Sequence, residues 1–129
     1  MSQSLYDSYS DLIEHRNSIK VPPGWETVVQ EMLEAVKVYE KMEIETPDYV
    51  STIFTKIKNN DGWLDVEYNG GDYVVDEITR FARILSFKKC EMCGIMNSKV
   101  YCSTKWMHWS YKKTLCKSHA IELYYYRIE

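Results

Sequence analysis

The 129-residue chain is poor in the residues that interrupt regular structure, with three prolines and five glycines. That scarcity excludes a collagen-like repeat or a Pro/Gly-rich coil, and an apolar content of 45% excludes a disordered tail. Cysteine is scarce too: four residues are too few for a disulfide-dense miniprotein. No apolar run approaches the roughly 18–20 residues that cross a bilayer. The opening residues Met1-Ser2-Gln3-Ser4-Leu5-Tyr6-Asp7 have neither the basic nor the apolar region of a signal peptide, so a cytoplasmic location is expected. A Walker loop, a dinucleotide glycine fingerprint, His-Glu-x-x-His and Gly-x-Ser-x-Gly are all missing. With three histidines in the whole chain, general bases are few, and the expectation leans away from catalysis.

What is present suits one ordinary domain over residues 1–129, because a single core typically serves about 100–150 residues. The net charge of −3 conceals a split: residues 1–79 hold 6 Lys and Arg against 16 Asp and Glu, residues 80–129 hold 10 against 3. Either the two parts attract each other within the fold, or the basic part meets an anionic partner.

Apolar periodicity orders the elements. Leu5, Tyr9, Leu12 and Ile13 recur at helical spacing over residues 4–16, and Val21-Pro22-Pro23 then breaks the pattern. Trp25, Val28, Val29, Met32, Leu33, Val36 and Tyr39 form one stripe of a long helix that ends before Pro47. Residues 49–58 and 63–68 alternate as strands around Asn59-Asn60-Asp61-Gly62, a hairpin turn. A second helix runs over 72–86 with the stripe Val74, Val75, Ile78, Phe81, Ala82 and Leu85, and a third over roughly 117–128. The expected fold class is α+β: helices packed on a β-hairpin (the acidic part, 1–87) with a C-terminal treble-clef-like zinc module (the basic part, 88–129).

The zinc expectation rests on spacing. Cys90-x-x-Cys93-Gly94 has the form of a knuckle, its glycine permitting the tight turn. In Cys116-x-x-His119 a first helical turn would put both donors on one face. Cys90, Cys93, Cys116 and His119 make a Cys3His set that suits Zn2+ and leaves no open position. A redox dithiol at Cys90/Cys93, a disulfide and free thiols compete with it. Cys102 and His108 are spare donors, Cys102 reading best as a small buried residue.

Between the ligand pairs, Lys99, Lys105, Lys112, Lys113 and Lys117 interleave with Tyr101, Trp106, Trp109 and Tyr111. Lysines attract phosphates and rings stack on bases, so Lys99, Lys105, Trp106, Trp109, Tyr111, Lys112 and Lys113 are candidates for nucleic-acid binding. The same residues suit a protein interface or a mini-core.

Leu5, Tyr6 and Tyr9, then Gly24-Trp25, Cys90-x-x-Cys93-Gly94 and Thr114-Leu115-Cys116-x-x-His119-Ala120, resemble in order a family of small uncharacterised proteins frequent in tailed-phage and prophage genomes. The chain departs from that family at Val21-Pro22-Pro23, where relatives have a Cys/Gly/Asp-rich stretch, and in the strings of its central hairpin. The resemblance implies zinc, a phage setting and expression in a bacterial cytoplasm. With catalytic residues lacking, it leads to a non-enzymatic zinc protein that binds and modulates a host protein, for instance an inhibitor of a defence system. Nucleic-acid binding through 99–117 is the alternative, and a treble-clef nuclease using His108 the third.

Overall fold

The computed structural model describes residues 2–42, 48–96, 98–103, 111–123 and 126–127. Its elements are α1 (Ser2–Ser8), β1 (Ile19–Lys20), α2 (Glu26–Lys41), β2 (Ile53–Asn60), β3 (Trp63–Asn69), α3 (Tyr73–Ser86), β4 (Lys99–Ser103), β5 (Tyr111–Leu115), α4 (Lys117–Glu122) and β6 (Tyr126–Arg127), with 3₁₀ turns at Arg16–Ser18 and Pro23–Trp25. The architecture is mixed α+β, two three-stranded sheets in the orders β1-β2-β3 and β5-β4-β6.

The stripe of α2 is buried as its spacing predicts, Trp25, Val29, Leu33 and Val36 being fully enclosed. The β2–β3 hairpin turns at Asp61 and Gly62, both at positive φ, as an Asp-Gly turn requires. A bulge between Phe54 and Lys56 breaks the simple alternation of β2, so that Phe54 and Ile57 both face the core. Asp72 caps α3, its Oδ1 accepting from the backbone N–H groups of Val74 and Val75, while Oδ2 accepts from the Tyr39 hydroxyl at the end of α2.

Three expectations are corrected. The first helix stops at Ser8. The edge of β2 captures the next apolar residues in extended form: Phe54 N–H donates to the Leu12 carbonyl and Glu14 N–H to that of Phe54, so backbone pairing outcompetes the helical pattern there. The connector around Ile19 is a strand, paired in parallel with β2 through Ile19↔Ile57 and Lys20↔Lys58. At the C-terminus the helix ends at Glu122, and Tyr126–Arg127 return as a strand beside β4.

The main core gathers α1, β1–β3, α2 and α3, with α2 packed on α3 and α3 on β3. Among the described residues, Cys90, Leu115 and Ala120 form a second cluster, with Cys116 and Leu123 against it.

Candidate functional site

Local backbone geometry builds the first donor pair. In the turn Cys90–Gly94, Gly94 N–H donates to the Cys90 carbonyl (2.8 Å), Cys90 N–H to that of Ile95 (3.0 Å), and Met92 N–H approaches Cys90 Sγ at 3.4 Å. Gly94 carries a φ of +78°, a conformation that a side chain disfavours. The second pair comes from the start of α4. Cys116 is its N-cap and His119 lies in its first turn, with Sγ and Nδ1 3.2 Å apart.

These pairs meet. Cys90 Sγ lies 3.5 Å from His119 Nδ1, Cys93 Sγ lies 3.9 Å from Cys116 Sγ, and all four donor atoms fall within 4.8 Å of one another. A tetrahedral zinc with ordinary bond lengths has edges of about 3.8 Å between sulfurs and about 3.5 Å between sulfur and nitrogen, so the cage is of the right size for an ion. Cys90, Cys93 and Cys116 are free thiols, and 3.9 Å is about twice a disulfide bond. The Cys3His set could therefore hold a metal ion.

Electrostatics point the same way. Burial pushes the Cys90 thiol up, but hydrogen bonds from the backbone amides of Cys116, Cys93 and Met92 outweigh it and bring its pKa to about 7. At Cys93 a backbone hydrogen bond from Ile95 favours the thiolate, yet burial and the sulfurs of Cys90 and Cys116 prevail and hold the thiol up. Several thiolates cannot share this space without a positive charge between them, which a divalent cation supplies.

Three further residues position the cage. Gly24 N–H donates to the Glu91 carbonyl (2.7 Å), and the fully buried Trp25 donates from Nε1 to the Lys89 carbonyl (3.0 Å). A Cβ on Gly24 would lie 1.9 Å from the Cys90 carbonyl oxygen, so only glycine admits the turn here. Glu91, 1% exposed, accepts from Asn59 Nδ2 and from Thr114 N–H, both at 2.8 Å. Its backbone N–H donates to the Thr114 carbonyl, and Thr114 Oγ1 to that of Gly62. One carboxylate thus joins the turn, β5 and the β2–β3 hairpin. Burial raises its pKa, against the Thr114 amide, the Lys113 charge and the Asn59 amide.

No protein-family model, curated protein or solved structure matches this chain.

Spacing pointed to the four donors but not to Glu91 or to the role of Gly24-Trp25. The available signal was an acid inside a Cys-x-x-Cys turn, in a part of the chain with only 3 acidic residues. In Glu91→Gln the carboxamide keeps one acceptor and turns an NH2 on the other donor. A loss of about 1–3 kcal/mol is expected, the cost of an unsatisfied buried group, read as a lower urea midpoint of the metal-loaded protein.

The lysines of the C-terminal hairpin do not share one face. The register pairs Tyr101 with Lys113 and Cys102 with Lys112, so Lys99 and Lys113 stand on one side and Lys112 on the other. Lys112 N–H donates to Asp61 Oδ1 (2.8 Å). Lys105, Trp106, His108 and Trp109 lie outside the described residues, as do the side chains of Tyr111 and Cys102.

The apolar stripe of α3 is only partly covered. Val75 and Ala82 are buried, but Phe81 is 62% exposed. With Ile78, Leu85 and Val74 it lines one wall of a trough of about 530 Å³ between α3 and α2, the other wall being Val28, Met32 and Ala35. A shallower concavity adjoins it along α2 at the exposed Val38 and Met42, and the charged residues lining the trough are Glu31, Glu77 and Lys89. No helix of the described residues is long and apolar enough to cross a membrane.

Proposed function

We propose that the Cys3His cage holds one structural Zn2+ in a treble-clef-like module, and that the protein is a non-enzymatic, phage-type binder that modulates a host protein in the bacterial cytoplasm. Donor chemistry supports zinc: three thiolates and one imidazole in a tetrahedral cage complete the coordination sphere and leave no place for a reacting water. The sequence of knuckle, hairpin and helix carrying the last two ligands supports the treble-clef comparison.

The observation that carries the binding function is the trough between α2 and α3. A monomer gains nothing by exposing Phe81 in the trough and Val38 and Met42 beside it, and such patches mark protein contacts. The two helices run antiparallel, Trp25 at the start of α2 bonding to Lys89 beyond α3 and Tyr39 near its end to Asp72 at the start of α3, and the trough between them suits an amphipathic helix. The carboxylates lining the trough, in a part of the chain with 16 acidic residues against 6 basic ones, favour a partner segment with basic flanks.

Pull-down from host lysate with the zinc-loaded protein tests this reading. A stoichiometric host protein is expected with the wild type and none with Phe81→Asp, whose thermal unfolding should match the wild type because the ring is largely in water. Recovery of no stoichiometric protein, or the same protein with Phe81→Asp, would defeat it.

A further inference from the structure

A separate concavity lies at the opposite edge of the main sheet, where β1 meets β2. Lys20 and Lys58 are direct partners in the parallel register, so their side chains leave the same face of the sheet side by side. Directly apposed like charges destabilise a strand pair, and β1 contributes only two residues, one of which is this lysine. Among the described residues no carboxylate lies within ion-pair distance of either ammonium. Both border a cavity of about 410 Å³ that Lys113 enters from β5, with Val21 and Pro22 as an apolar wall. Glu91 at its base has both carboxylate oxygens engaged, by Asn59 and Thr114, with Lys113 nearby. Asp65, the partner of Lys58 on β3, is held instead by Lys56 at 2.9 Å, and Lys20 and Lys58 both line the cavity.

We propose that this cavity is an anion site for a phosphate ester, its phosphate bridging the ammoniums of Lys20 and Lys58 and its organic part lying against Val21 and Pro22. Two strongly hydrated point charges on paired residues of adjacent strands suit a phosphate that can accept from both. The cavity volume is within the range of sites that take small ligands. A phosphate between the lysines removes the repulsion that the register imposes, so binding should also stabilise the fold. The site is independent of the α2–α3 trough and of any partner bound there.

Calorimetric titration of the full zinc-loaded chain with pyrophosphate at low ionic strength tests the site. Saturable binding is expected, weakened roughly tenfold by Lys20→Gln or by Lys58→Gln, the strength of one charge-assisted hydrogen bond. Lys58→Arg should retain binding and Lys41→Gln, remote on α2, should not alter it. Matching thermal unfolding of the variants excludes loss of fold as the cause. Competition then separates the sources of phosphate. Displacement of pyrophosphate by ATP supports a free nucleotide, and displacement by a short oligothymidylate, with affinity falling steeply in salt, supports a nucleic acid. Absence of pyrophosphate binding, binding indifferent to both glutamine variants, or displacement by neither competitor would overturn the proposal.

Discussion

If the proposed zinc is structural, chelation at neutral pH unfolds the zinc-binding part, 88–129, and this is the largest effect anticipated for the protein. Among the described residues the second cluster has Cys90, Leu115 and Ala120 as its fully buried members, and two of these are small. At about 1.5–3 kcal/mol for a large apolar side chain, such a cluster falls short of the entropy of ordering the three strands and one helix of this part. The helix that carries Cys116 and His119 is six residues long, well below the roughly 12–15 residues at which an isolated helix becomes even marginal. A structural zinc contributes about 10–16 kcal/mol of apparent binding energy, more than the stability of most whole domains. Circular dichroism and thermal unfolding before and after chelation measure the effect. The melting temperature should fall steeply and recover when zinc is restored. Cys93→Ser and Cys116→Ser should reproduce the loss without a chelator. Undiminished thermal stability of the metal-free protein would refute a structural metal.

Gly24→Ala is expected to be the most damaging single methyl group that can be added. The new Cβ would stand 1.9 Å from the Cys90 carbonyl oxygen and 2.7 Å from the Glu91 carbonyl carbon. Both neighbours are backbone, so no rotamer change relieves the overlap and the turn must move. Moving it breaks the Gly24–Glu91 and Trp25–Lys89 hydrogen bonds, each worth about 1 kcal/mol, and adds overpacking strain of about 1–3 kcal/mol. A loss of about 3 kcal/mol or more should follow, with weaker zinc binding in a chelator competition because the displaced turn carries Cys90 and Cys93. Trp25→Phe is the graded comparison: it removes the Nε1 donor and should cost about 1 kcal/mol beyond the lost volume. A Gly24→Ala protein with the wild-type urea midpoint and zinc affinity would show that the turn does not rest on Gly24.

The positions of these two effects explain what periodicity and spacing could reach. The α2 stripe, the Asp-Gly hairpin and the capped α3 are local patterns, and local physics decides them: one face at helical spacing, a turn that needs positive φ, a carboxylate on free N–H groups. The four donors were legible for the same reason, each pair being a short-range geometry fixed by two intervening residues. Leu12 and Ile13 were misread as helix because the competing partner, the edge of β2, lies some forty residues away in the chain. Phe81 belongs to the apolar stripe of α3 and yet stands largely in water, because periodicity identifies an apolar face without saying how much of it is covered.

From the sequence alone, then, came the α+β class, the acidic and basic halves, and the identity of the Cys3His donors, all properties of composition or near-neighbour spacing. Only the tertiary structure brought the two donor pairs within 4.8 Å and set Gly24-Trp25 against the Cys90–Gly94 turn. It alone buried Glu91 between three segments, left a trough between α2 and α3, and placed Lys20 beside Lys58. These are contacts across many residues of chain, settled by packing and by the need to satisfy every buried donor and acceptor.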